Sequence, residues 1–471
     1  MKKVIRGIAF FLITILVIFS VYKVLRWKDT TGGYLSSTSQ LYATENDLID
    51  IVFLGSSHCY CGINPDVLWG DNGYAAFGMT ISGQDKWSTY YHLKETLKTQ
   101  TPKVVCVELW GLTFDEHGVE GNVHRNMMAM DLSKNSMELI KAYVEDEEKQ
   151  MDYILRWPVV HTRYKEVDKY DFVPYEYSQY GRGAEMSYAI GWSQPPVEAI
   201  ACDEISELTE TNREWLEKLY QLSEEEDFTL VLFVAPTMLT VEQQKQMNAA
   251  KAFSETKGIE FFDFNKMAAD VGIDYSKDFI DQTHLNGYGA EKLTRYLGTY
   301  FENNYALDDH RGEENYYQWE QSYSFYEHTL QNKALLQTTE MIDYFTMLKE
   351  LDGYTTIVSF EGKYDESTLD LKGYAKILGI TDEQYVKGGT FVIKNGEVTQ
   401  LLDNESKESV VYEVNEYDSF KVQNMELVTD IEGGINDVEF NMVSTGSTYI
   451  GLNVVVYDDV MQKIIDKRGY Y

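Results

Sequence analysis

The sequence predicts an α/β protein with three parts. These are an N-terminal transmembrane helix, a three-layer α/β/α domain on a parallel sheet, and a smaller mostly-β domain at the C-terminal end. Three observations predict it. An uncharged run fills residues 7–21. Between about residues 46 and 305, short apolar runs alternate with helical stretches, as βαβ units require. Beyond about residue 346 the runs become β-type, with turn signals between them. At 471 residues and 44% apolar composition the chain can fill two cores. It divides into an anchor (1–27), a linker (28–45), the α/β domain (46–305, with an insertion over about 114–205), a connector (306–345) and the β-rich domain (346–471).

The first segment decides the compartment. Lys2, Lys3 and Arg6 precede the uncharged run, and apolar character continues through Tyr22, Val24 and Leu25. A bilayer core of about 30 Å needs roughly 20 helical residues, so the run is long enough to span. No small-x-small site follows it, which favours an uncleaved signal anchor over a cleaved signal peptide or a buried helix. So short a terminus holds no cytoplasmic domain, and the chain after Trp27 is expected on the extracytoplasmic side of the cell membrane.

A formal net charge of −35 sets nucleic acid aside as a partner. It also counts against a polyanionic substrate, although screening beyond about 8–10 Å leaves room for a locally neutral site. The four cysteines, Cys59, Cys61, Cys106 and Cys202, are too few for a disulfide framework, though one bridge stays open. Cys59-x-Cys61 falls short of a zinc site, and Cys106 reads as core. No metal or cofactor is expected.

Thr30-Thr31-Gly32-Gly33 and Ser36-Ser37-Thr38-Ser39 read as a linker. The apolar run from Asp50 to Leu54 then stops at Gly55-Ser56-Ser57-His58, a buried strand ending in a tight turn that presents Ser57 as a nucleophile. Pro65 opens the following helix, which completes a strand-turn-helix setting. A serine hydroxyl needs a base to take its proton and a third group to orient that base. Asp281-Gln282-Thr283-His284 offers both. A second strand, Tyr74 to Met79, leads to Thr80-Ile81-Ser82-Gly83, where Gly83 either aims its N–H at a developing oxyanion or simply makes the turn. A helix over Lys86 to Thr99 precedes a third strand, Pro102 to Leu109, apolar throughout as in a doubly covered sheet.

Residues 114–205 break the alternation. Trp157, Trp192 and Tyr175-x-Tyr177-x-x-Tyr180 form either a sugar-stacking platform over the carboxyl edge of the sheet or the insertion's own core. His117, His124 and His161 read as ordinary polar residues. The alternation resumes with a helix over Thr211 to Ser223, a strand over Phe228 to Val234, a helix over Val241 to Lys257 and a strand over Ile259 to Phe264. A closing helix over Gly287 to Tyr300 follows the loop that carries Asp281 and His284.

Gly55-Ser56-Ser57, then Ser82-Gly83-Gln84 after Ala76-Phe77-Gly78, then Asp281-x-x-His284-Leu285-Asn286 resemble the first, second and last blocks of the SGNH (GDSL-type) hydrolases, in that family's order. The resemblance implies a catalytic triad of Ser57, His284 and Asp281, an oxyanion hole made by the N–H groups of Ser57 and Gly83, and acyl esterase or O-acyltransferase chemistry. The third block departs from the family. Where a Gly-x-Asn is expected the chain has Trp110-Gly111-Leu112-Thr113, so one oxyanion donor, worth about 10²–10³ in rate, is missing. A backbone N–H near Trp110 or the His58 side chain is expected to substitute, or activity is low.

In the last part, Tyr354 to Phe360, Gly389 to Ile393 and Tyr449 to Tyr457 are β-type runs, with one helix near Leu369 to Leu378. Gly451 to Tyr457 with Lys463 to Asp466, and Tyr364 to Leu369 leading to Leu378-Gly379, resemble the interleukin-like EMT inducer (ILEI) domain with its halves reversed. That implies glycan targeting or a structural appendage. The chain is therefore expected to act on acyl, foremost acetyl, esters of a cell-surface polysaccharide or other glycan, beside a membrane-embedded acyltransferase. The alternatives are a glycan-binding or scaffold protein on a decayed hydrolase fold, and a subunit completed only by a membrane partner.

Overall fold

The computed structural model describes residues 2–26, 34–114, 120–167, 169–172, 180–360, 370–403, 410–415, 418–423, 426–431, 439–440 and 452–470. His117, Tyr175, Tyr177, the Tyr364 to Leu369 stretch and Gly451 lie outside them. The chain forms two compact units, Met1–Tyr323 and Ser324–Tyr471.

In the first unit, α1 (Lys2–Leu25) has a mean hydropathy of 2.6 over its best 18 residues, with none of that window buried, and is long and apolar enough to cross a membrane. The stretch read as a linker is helical over Tyr34–Ala43. In α2 (Tyr34–Ala43), Ser37, Thr38 and Gln40 are buried, and the Ser37 hydroxyl donates to the Thr80 carbonyl at 3.0 Å. Small hydroxylated residues suit a helix packed this closely, and the composition that suggested a flexible tether serves packing.

Then come β1 (Ile51–Gly55), α3 (Ser57–Gly62), α4 (Pro65–Asn72), β2 (Ala76–Thr80), α5 (Lys86–Thr96) and β3 (Val104–Glu108). The insertion supplies α6 (Glu120–Ala129), α7 (Lys134–Tyr143) and α8 (Glu147–Leu155), followed by short helical segments at Trp157–Val160, His161–Lys165, Lys169–Phe172 and Val197–Ile200. The sheet is completed by β4 (Thr229–Val234) and β5 (Glu260–Asp263), flanked by helices Glu210–Glu226, Val241–Lys257 and Gly287–Asn304. All five strands are parallel, in the order 2-1-3-4-5.

Alternate residues of β1 feed two cores. Val52 and Leu54 pack with Leu93, Trp215, Leu219 and Met247, while Ile51 and Phe53 pack with Leu68, Leu293, Leu297 and Phe301. A sheet buried on both faces explains the unbroken apolar runs. The order places β1 beside both β2 and β3, so ligands are expected where connections diverge, outside the carboxyl ends of β1 and β3.

The edge strand β2 is covered. Gly78 N–H donates to the Arg182 carbonyl (2.8 Å), the Thr80 hydroxyl to the Gly183 carbonyl (2.7 Å) and the Trp319 indole to the Ala76 carbonyl (2.9 Å). The buried Arg182 guanidinium lies 4.5 Å from the Trp319 ring centre. The end of the insertion, at Arg182 and Gly183, and the first half of the expected connector, at Trp319, thus together cover a sheet edge that would otherwise recruit another strand.

In the second unit an antiparallel five-stranded sheet is ordered β14-β13-β6-β7-β8, from β6 (Tyr354–Phe360), β7 (Gly389–Lys394), β8 (Glu397–Leu402), β13 (Leu452–Asp458) and β14 (Lys463–Tyr470). A second sheet joins β9 (Val410–Glu413), β10 (Asp418–Gln423), β11 (Glu426–Ile431) and β12 (Glu439–Phe440). Helices Met341–Glu350 and Leu371–Ile377 pack on the first sheet through Tyr344, Phe345, Leu371 and Ala375.

Candidate active site

β1 ends in a turn with no room for a side chain. Gly55 has φ +153°, and a Cβ there would stand 2.7 Å from Glu108 Cβ and 3.0 Å from Cys59 Cβ. The chain reverses into α3 with Ser56 as its N-terminal cap and Ser57 as its first residue. A helix's first N–H groups have no partner inside the helix, so the Ser57 N–H stays available. Ser57 itself is partly exposed.

Ser57 Oγ lies 2.8 Å from His284 Nε2. On the other side of the imidazole, Nδ1 lies 2.9 Å from Asp281 Oδ2 and 3.1 Å from Oδ1. Asp281 Oδ1 also accepts the backbone N–H groups of Thr283 (2.7 Å) and His284 (2.9 Å), so the loop winds around its own carboxylate. Partial burial alone would raise this carboxyl, but hydrogen bonds from the His284 ring and from these two N–H groups bring it down to about 2. It stays ionised and can hold a positive imidazole.

The loop is fixed from below by Asn286, which is fully buried. Its Oδ1 caps the helix Gly287–Asn304 at Tyr288 N–H (3.0 Å) and Gly289 N–H (3.2 Å), and its Nδ2 donates to the Lys277 carbonyl at 2.7 Å. The third residue after Asp281 and the fifth thus have separate tasks. His284 faces Ser57, and Asn286 sets the loop.

Behind the imidazole stands His58. Its ring stacks 4.8 Å from that of His284 and 4.3 Å from Trp110, and its Nδ1 lies 3.2 Å from Ser56 Oγ. Burial, reinforced by a charge on His284, lowers His58 to about 3. His58 is therefore neutral at any ordinary pH and presents a flat, uncharged wall to His284. The Trp110 N–H is spent on Glu108 Oε1 at 3.0 Å. Of the groups expected to replace the third-block asparagine, the Trp110 N–H is therefore taken, while His58 Nε2 is buried and makes no hydrogen bond to another described residue. Burial also pushes the Glu108 carboxyl up to about 8, against hydrogen bonds from Trp110, Ala235 and Ser56.

The Gly83 loop completes the surroundings. Ile81 N–H donates to the Gly55 carbonyl (3.3 Å), tying this loop to the turn before Ser57. Gly83 has φ +61°, and a Cβ there would stand 2.2 Å from Asn122 Nδ2. Its N–H donates to no other described residue. One turn along α3 from Ser57, the Tyr60 phenol faces the hydroxyls of Ser82 and Ser57, and burial pushes it up to about 12 despite them. It remains a neutral donor. Neither Tyr60 nor Asn122 was singled out from the sequence. Tyr60 had a signal in its three-residue spacing from Ser57, whereas Asn122 had none, because it is 39 positions from the glycine it touches.

Of the other candidates, Cys59, Cys61 and Cys106 are buried free thiols and Cys202 is a partly buried one. Among the described residues no cluster of three His, Cys, Asp or Glu side chains is placed to hold a metal ion. Trp192 is exposed, Trp157 packs against the cluster around Leu25, and His124 meets Tyr153 edge to face.

No protein-family model matches the chain, and no curated protein does. Among solved structures it is similar to a "putative acylhydrolase" from Bacteroides fragilis, at 12% identity and a TM-score of 0.29, over 59% of this chain and 99% of that one. The chemistry of the site is read from this chain's own residues.

Proposed function

We propose that the chain is a membrane-anchored, extracytoplasmic serine acyl esterase or O-acyltransferase of the SGNH type, acting on acyl esters of a cell-surface glycan, with acetyl the foremost candidate. The observation that carries this reading is the continuous hydrogen-bonded line Ser57–His284–Asp281, with contacts of 2.8 Å and 2.9 Å. Ser57 Oγ attacks the ester carbonyl carbon while its proton passes to His284 Nε2. The carbonyl electron pair moves onto oxygen, which the N–H groups of Ser57 and Gly83 receive. Collapse of the tetrahedral species expels the alcohol, which takes the proton from His284. Water or a sugar hydroxyl then resolves the acyl-enzyme.

The transfer outcome has support from the foot of α1. Leu25 is buried against Ile81, Met128, Ala129 and Val160, and Arg163 Nη1 donates to the carbonyls of Val24, Leu25 and Arg26. Ile81 lies two residues before Gly83, so the end of the apolar helix packs on the loop that borders Ser57. A site at the foot of an anchor suits an acyl group delivered from the membrane side.

The test is labelling of the full-length protein in detergent with a fluorophosphonate, mapped by mass spectrometry. We expect an adduct on Ser57 that slows by at least about 10³ in His284→Ala, since the base is what makes the hydroxyl nucleophilic. A folded protein that forms no Ser57 adduct would refute the reading.

A further inference from the structure

Resting on the hydrolase reading above, we propose that the Asn122 carboxamide is the third oxyanion donor of this site, supplied by α6 in place of the segment after β3. Trp110 N–H is held by Glu108, the Thr113 hydroxyl donates to the Trp110 carbonyl (2.8 Å), and Leu109 and Leu112 are buried in the core.

Asn122 meets the requirement from another direction. Its Nδ2 is the atom nearest the position a Gly83 Cβ would occupy, ahead of its own Cγ at 2.5 Å and Cβ at 2.7 Å, so the amide's donor end lies against Gly83. Gly83 is thus required twice, for its positive φ and for the space that the amide fills. The placement is held from below. Asn126, fully buried, donates from Nδ2 to the Ser82 carbonyl (3.1 Å) and to the Asn122 carbonyl (2.8 Å), stapling α6 to the Gly83 loop one turn after Asn122.

The Asn122 side chain makes no hydrogen bond to another described residue and is partly exposed, which leaves its two N–H groups for an incoming oxygen. An oxyanion hole needs donors fixed before charge develops, so that no reorganisation is required in the transition state. Asn122 has a backbone held by Asn126, donor chemistry and an unspent hydrogen.

The experiment uses full-length protein in detergent, with fluorophosphonate labelling of Ser57 and hydrolysis of p-nitrophenyl acetate as the two readouts. Asn122→Ala is expected to lower both rates by about 10²–10³, the usual effect of losing one oxyanion donor, with KM little changed. Asn122→Asp has the same shape but puts a carboxylate toward a developing negative charge, so its loss should be at least as large. Rates within about threefold of wild type in Asn122→Ala overturn the proposal. So does an Asn122→Asp variant that retains wild-type rates, because only a packing role would tolerate it. Where wild type labels on Ser57 and the variants label equally fast, Asn122 alone is dismissed. Where folded wild type does not label at all, the hydrolase reading falls and takes this proposal with it.

Discussion

In the unit that ends at Tyr323, polar side chains at the carboxyl ends of the strands stand half open to solvent. The His284 side chain is 25% exposed and that of Asp281 52%. In the unit that begins at Ser324, comparable groups are sealed against one another. Asp458 is fully buried and lies 3.0 Å from His328 Nδ1, takes an N–H of Asn332 at 2.7 Å, and accepts the backbone N–H groups of Val460 (3.0 Å) and Met461 (2.9 Å). Tyr354 donates to Asn332 Oδ1 at 2.8 Å, and Tyr457 with Asn415 binds Asp418 in the same closed manner. Both units contain a His–Asp pair, so the pair alone says little. What separates them is whether the second ring nitrogen meets a hydroxyl that a substrate can reach.

The comparison makes opposite predictions for the two aspartates. Asp281→Asn removes the group that orients His284 and stabilises its charged form, and we expect a fall of about 10²–10⁴ in the Ser57 labelling rate with the melting temperature nearly unchanged. The aspartate is half exposed, so little folding energy rests on it. Asp458→Ala should do the reverse. It strands Asn332 and two backbone N–H groups in a dry interior, costing on the order of 3 kcal/mol. Calorimetry should show a transition of the second unit at lower temperature, while Ser57 labelling stays within about twofold. Loss of labelling in Asp458→Ala with the first unit intact would break the comparison.

The parallel sheet was legible because strands buried on both faces leave continuous apolar runs, as in residues 50–54 and 228–234. Ser57, Asp281 and His284 were legible because each sits at a strand end or loop whose local chemistry is visible in a few consecutive residues. Residues 34–43 and 306–323 were harder. Their polar composition suggests loose chain, yet Ser37, Gln40 and Trp319 are buried because their hydrogen bonds are made across the fold, to Thr80, Tyr180 and Ala76. Asn122 was hidden for the same reason. Its partner lies on another element, and no periodicity records which helix an insertion lays over which loop.

Glu108 offers the finest test, because it lies under the open site yet behaves like the closed one. It is 2% exposed, ends β3 against Gly55, and touches Ser56, which in turn touches His58. With its pKa pushed up to about 8, the folded protein keeps this proton across the neutral range, whereas an unfolded chain releases it near the ordinary glutamate value of about 4.3. Between those values the unfolded state binds fewer protons, so stability falls as pH rises, by at most about 1.4 kcal/mol per pH unit for this one group. The stabilising contribution is complete below the unfolded value and gone above the folded one. Glu108→Gln keeps the shape and the Trp110 contact but has no proton to lose. Its melting temperature should therefore gain on wild type steadily from pH 5 to pH 8, while Ser57 labelling at pH 6 changes by no more than about threefold. A parallel pH dependence in the two proteins would mean that Glu108 is ionised in the fold, and a charge beneath His58 would then have to be counted in the chemistry of Ser57.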